Sequence, residues 1–146
     1  MSSSDNPQFD PQPVSSTEAS QITFPGTIAV TETLKVTQIA SSKYRLQNSS
    51  VFGEGYYGDV VEVLRDENGK NRFVRVVSPS GLKVDVFVLA EEILASREVE
   101  SFLSRILTLD GVCERAHGGV LFIHLPPESN MDAQKELQKF TQRSKA

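Results

Sequence analysis

Along this chain apolar residues first alternate with polar ones and later recur at helical spacing, and that change of period divides the sequence. After Thr31, Leu34 and Val36 share one face of a first strand, and Tyr44 and Leu46 do the same in a second, shorter one. Residues 59–65 read as a third strand with Val61 and Val63 on one face. Asp66-Glu67-Asn68-Gly69 contains Asn-Gly, a strong hairpin signal, and leads into a fourth strand over residues 72–78. Pro79-Ser80-Gly81 turns the chain into a fifth, over 83–89, where Val84, Val86 and Val88 alternate with Lys83, Asp85 and Phe87. A meander of about five strands is the expectation for this part.

The period then becomes helical. Val99, Phe102, Leu103, Ile106 and Leu107 follow i, i+3, i+4 spacing, Ser96 is placed to cap the segment, and Gly111 ends it. Residues 112–116 and 120–125 read as a hairpin around Gly118-Gly119, and Pro126-Pro127 stops its second strand. Asn130 or Asp132 is placed to cap a last helix carrying Leu137 and Phe140. The second half is therefore strand–helix–strand–strand–helix, a ferredoxin-like unit lacking its final strand, and the fold class is α+β. An edge left unpaired in this way invites homo-oligomers. Residues 1–26, rich in Ser, Pro, Gln, Asn and Asp, predict a disordered tail in which Phe9, Ile22 and Phe24 are scattered apolar positions. One α+β domain is then expected over residues 27–146.

Charge sharpens this picture. The net charge of −4 sits mostly in the tail, where Asp5, Asp10 and Glu18 meet no base, leaving 16 acids against 15 bases elsewhere. That balance disfavours nucleic acid as a partner. RNA binding through Arg72, Arg75, Tyr56 and the basic C-terminus ranks third among the functions considered. The single cysteine, Cys113, makes no internal disulfide, and Met1 to Asn6 carries neither the basic nor the apolar region of a secretory signal. No run approaches the roughly 18 apolar residues of a membrane helix. A cytoplasmic protein without membrane contact is expected.

Candidate chemistry is sparse. If Gly118-Gly119 is a two-residue turn, Cys113 faces His124, a pairing able to act as nucleophile and base or as metal ligands. No third group orients such a base, and Cys113, His117 and His124 do not make a closed zinc set. No catalytic residue, metal or cofactor is therefore assigned. The same register puts Glu114 on the apolar face with Val112, Ala116, Leu121, Ile123 and Leu125, where a carboxylate stands out. Residues 48–59 form the most unusual stretch, with Gly53, Gly55 and Gly58 for backbone freedom and Phe52, Tyr56 and Tyr57 for contact area. It lacks the Gly-Lys-Ser/Thr of a phosphate loop.

The run from Lys43-Tyr44-Arg45-Leu46-Gln47-Asn48 to Phe52, then Tyr57-Gly58-Asp59-Val60-Val61-Glu62, resembles an uncharacterised bacterial family, domain of unknown function 4265. So do Phe73-Val74-Arg75-Val76-Val77, Ser80-Gly81, Leu109 with Gly111, Glu114-Arg115 and His124-Leu125-Pro126. Where the family pattern has an Asn followed by Pro-Phe-Phe, Ser50-Val51-Phe52 stands in its place in this chain. The resemblance singles out Asn48, Asp59, Ser80, Gly81 and Glu114 and implies no activity. The functional expectation is a non-enzymatic module that binds another protein, through Asn48, Phe52, Tyr56, Tyr57, Asp59, Ser80 and Glu114. The alternatives are an immunity- or antitoxin-type inhibitor, and a small-molecule-binding or hydrolytic domain using Glu114 with Cys113 and His124.

Overall fold

The computed structural model describes residues 17–116 and 118–144, with side chains through Thr141. It is a mixed α+β structure of two compact units that divide after Ser80. No helix among the described residues is long and apolar enough to cross a membrane.

The first unit is a closed barrel of β1 (Glu18–Phe24), β2 (Val30–Ala40), β3 (Lys43–Leu46), β4 (Val60–Arg65) and β5 (Asn71–Ser78). Successive strands are antiparallel, so with five of them the first and last point the same way. Closure is accordingly a parallel pairing, Ile22 with Asn71 and Thr23 with Arg72. The expected disordered tail is corrected here over Glu18–Phe24, and residues 1–16 lie outside the described residues. β1 has only two large apolar residues, yet both are core: Ile22 and Phe24 are buried with Leu34, Val36, Leu46, Val61, Val63 and Phe73. The Phe24 and Phe73 rings lie 5.0 Å apart. Burying the two β1 side chains is worth roughly 2 kcal/mol each, and β1 is hydrogen-bonded on both edges, which offsets the poor strand propensity of its surroundings.

Curvature enters through irregular pairing. Against β4, β5 carries Val74 and Val77 as extra residues, so Phe73 and Val76 both turn inward although they are three apart. The β4–β5 hairpin closes on Asp66, whose carboxylate accepts from the N–H groups of Asn68 and Lys70, both at 2.9 Å, and Gly69 takes a positive φ of 79°. The Lys70 backbone donor, chief among the favourable contacts, holds this carboxyl below its ordinary 3.8.

The second unit pairs β6 (Lys83–Val88), β8 (Val120–Leu125) and β7 (Val112–Ala116) in that spatial order. The expected fifth strand of the meander is thus β6, taken up by β8 after the turn at Gly81. Two helices lie between β6 and β7, α1 (Glu91–Leu94) and α2 (Arg97–Thr108), and α3 (Ala133–Ser144) follows β8. The order matches the expected ferredoxin-like unit without its last strand. Ser96 caps α2 by accepting from Val99, and Asp132 accepts from Lys135 at the start of α3. Val99, Phe102, Ile106, Ala133 and Leu137 pack against Leu121, Ile123 and Leu125.

Helix α2 ends in a Schellman motif: Gly111 donates to the carbonyl of Ile106 at 2.9 Å and Asp110 to that of Leu107 at 3.2 Å. The left-handed residue is Asp110, with φ 62°, whereas Gly111 is needed because a Cβ there would lie 2.7 Å from the His124 carbonyl oxygen and 2.9 Å from that of Ile106. Asp110→Gly is therefore expected to stabilise the protein by up to about 1 kcal/mol and Gly111→Ala to cost about 1–3 kcal/mol. Urea denaturation of the two variants measures both, and the opposite ordering would contradict this account of the cap.

Candidate functional site

The loop between β3 and β4 is built around carboxylates. Val30, Glu32, Leu34 and Val36 alternate on the inward face of β2, so Glu32 is an acid where the pattern calls for an apolar residue. Its carboxylate is satisfied by the loop. It accepts from the Ser50 hydroxyl, from Val51 N–H at 2.9 Å, and from Phe52 and Gly53 N–H groups, both at 3.3 Å. Ser50 Oγ in turn accepts from Gly53 N–H at 2.8 Å. A side chain at Gly53 would run into the Phe24 ring, so the loop can close over the barrel core only with glycine there.

Asp59 organises the other end. Buried, it accepts from Tyr56 N–H at 2.9 Å and from Ser80 N–H at 2.7 Å, tying the loop to the segment that leaves β5. Ser49 Oγ accepts from Tyr57 N–H at 2.9 Å and Asn48 Oδ1 from Lys35 N–H at 2.8 Å. Of the polar residues proposed for binding, Asn48 and Asp59 thus satisfy backbone donors of this unit, and Ser80 gives its own N–H to Asp59. Two of its aromatics are turned out to solvent, Phe52 at 74% exposure and Tyr56 at 40%, while Tyr57 is half-buried. Sequence reasoning missed Glu32, although an acid in phase with Leu34 and Val36 was a readable signal.

In the second unit Glu114 and His124 form a pair. The β7–β8 register sets Val112 opposite His124, Cys113 opposite Ile123 and Ala116 opposite Val120. The two-residue turn expected at Gly118-Gly119 is corrected by one position, and a slip of one exchanges the faces of a strand. Cys113 packs with Phe102, Leu121 and Ile123 on the helix-covered face. His124 and Glu114 belong to the other face, and the expected Cys113–His124 pairing does not exist. His124 Nε2 lies 2.5 Å from Glu114 Oε2, with the imidazole fully buried and stacked beside Phe122 at 6.3 Å between rings. His117 lies outside the described residues. Among those residues no group of three His, Cys, Asp or Glu side chains could hold a metal ion.

Burial pushes the Cys113 thiol up to about 11, with the Arg115 charge pulling only weakly the other way. A thiol of that kind is inert at neutral pH, since the thiolate is the nucleophile. Alkylation by iodoacetamide at pH 8 should run about 100-fold slower than for an exposed cysteine and keep rising past pH 10. A rate that levels off below pH 9 would contradict it.

Comparison with known proteins places the chain as follows. The model of a family described as a domain of unknown function (DUF4265) matches residues 32–144. Among curated proteins, none matches the sequence. The fold is similar to a solved structure titled "Novel crystal structure of a hypothetical protein from Neisseria gonorrhoeae". The TM-score is 0.57 at 18% identity, covering 87% of this chain and 89% of that one. At that identity the likeness concerns the fold.

Proposed function

The chain belongs to the DUF4265 family, and from that premise we propose that it is a non-enzymatic protein-interaction module whose contact surface is the aromatic loop. One observation carries the reading: Phe52 is held out at 74% exposure by a loop whose neighbouring N–H groups are all engaged by Glu32. A large apolar side chain displayed on a hydrogen-bonded frame is the arrangement of an interface anchor. Ordering it on binding costs little, because the frame is already formed. Tyr56 adds apolar area with a polar tip, as interface residues do.

The alternative, acid–base chemistry at Glu114 and His124, is weaker on this geometry. A carboxylate orienting an imidazole is two members of a catalytic triad, but the imidazole is fully buried and Cys113 belongs to the opposite face of the sheet. The pair reads better as an internal polar contact, in which the charged or polar edge of each group satisfies the other. A bacterial cytoplasmic setting and an inhibitor role for the module are consistent with its small size and slightly acidic charge.

The reading is tested with tagged full-length chain and its Phe52→Ser and Tyr56→Ser variants, used as baits in a bacterial lysate. A protein retained by the wild type and depleted about 30-fold or more by Phe52→Ser, with thermal stability unchanged, is the expected result. Equal retention by both baits would remove the loop from the interface. No retained protein at all would count against the module itself.

A further inference from the structure

The second sheet has an unused edge. In the order β6–β8–β7, all six residues of β6 pair with β8 on one side, from Lys83 opposite Leu125 to Val88 opposite Val120. On its other side no strand lies among the described residues, so alternate N–H and C=O groups of β6 have no strand partner there. Of the usual edge defences the strand keeps one, an acid on its helix-covered face, Asp85, opposite Ile123. It contains no proline, its pairing shows no bulge, and its one cation, Lys83, is drawn aside to the Ser129 carbonyl at 2.6 Å. The remaining edge, β7, is shorter and is tied to the helices through Cys113 Sγ near the Leu103 carbonyl and Arg115 on that of Leu94. β6 instead leaves Val86 at 47% and Val88 at 75% exposure.

We propose that β6 pairs antiparallel with β6 of a second copy of this chain, with Val86 on the two-fold axis, joining two three-stranded sheets into one. The register follows from symmetry and charge. A two-fold axis normal to the sheet keeps like faces together, so only residues of the same face can lie opposite one another. Axes at Asp85 and at Val86 both overlap five residues of the strand, whereas axes further along overlap fewer. An axis at Asp85 would set two carboxylates face to face, which is destabilising. An axis at Val86 sets Val86 against its own copy and Val84 against Val88, covering the exposed valines with valines. On the helix-covered face the same axis brings Asp85 opposite Phe87, so no like charges meet. The strand Lys83-Val84-Asp85-Val86-Phe87-Val88 is thus self-complementary in this one register, and that self-complementarity points to a second copy rather than an unrelated strand.

Disulfide trapping in the full chain tests the register, with Cys113→Ser as background. Val86→Cys should form a covalent dimer under mild oxidant, since facing Cα atoms in an antiparallel pair stand about 4.5–5.5 Å apart, within disulfide reach. Val84→Cys alone and Val88→Cys alone should not, because each lies about 14 Å from its own copy. An equimolar mixture of those two variants should cross-link. In parallel, Val86→Lys places two ammonium groups on the axis and should weaken the dimer at least about 10-fold in sedimentation, with unchanged thermal unfolding. A wild-type chain that stays monomeric to about 1 mM overturns the proposal. So does cross-linking that is equal for all three single cysteines, or a dimer indifferent to Val86→Lys.

Discussion

A carboxylate on the inward face of β2 is the constraint on which the candidate site depends. Left without donors, Glu32 would cost more than one strand residue can repay, since an unsatisfied charged group in partial burial carries a heavy desolvation penalty. The β3–β4 loop supplies the donors, with three consecutive N–H groups and the Ser50 hydroxyl. The loop is therefore shaped by the need to satisfy Glu32 from above and Asp59 from the side. Gly53 lets it come down onto Phe24, and Phe52, next to it in the chain, is turned out to solvent. Exposure of the aromatic is thus a consequence of how the backbone is fixed.

How much of this was legible depended on how many residues carried each signal. β2, β3 and β4 showed clean alternation, and the Asp66 to Gly69 turn announced itself by its residue types. Helix α2 was readable from five apolar positions and the Ser96 cap. β1 was not, because Ile22 and Phe24 are only two apolar residues among Ser, Gln and Thr, and what makes them a strand is pairing with β2 and β5, distant in sequence. Such non-local pairing leaves no local mark. The Cys113–His124 error came from the opposite situation: a strong local signal, Gly118-Gly119, read as the whole connection, when the register is shifted by one residue and sets Ala116 opposite Val120. Since side chains alternate with a period of two, that single residue moved Glu114 from the helix-covered face to join His124.

Most of the candidate residues came from one stretch, and the structure shows what several of them hold. Asn48, Asp59 and Ser80 were singled out by the family resemblance. In the fold Asn48 and Asp59 accept backbone hydrogen bonds, and Ser80 offers Asp59 its own N–H. Their chemistry is directed at the chain itself, which leaves contact area, at Phe52 and Tyr56, as what the loop presents outward. The second unit makes a similar economy. Its one thiol is held protonated within the packing of α2 and β8, and its histidine and glutamate answer each other.

The claim that everything else rests on is that the aromatic loop is fixed before any partner arrives. Backbone 15N relaxation of the free, full-length protein measures this directly at Val51, Phe52 and Gly53. The account predicts order parameters of about 0.8 or more at these three residues, matching the barrel strands, and a fall below about 0.6 in Glu32→Ala. Values below about 0.6 in the wild type would contradict it, for Phe52 would then be a residue of a mobile loop and not an anchor set in place by Glu32.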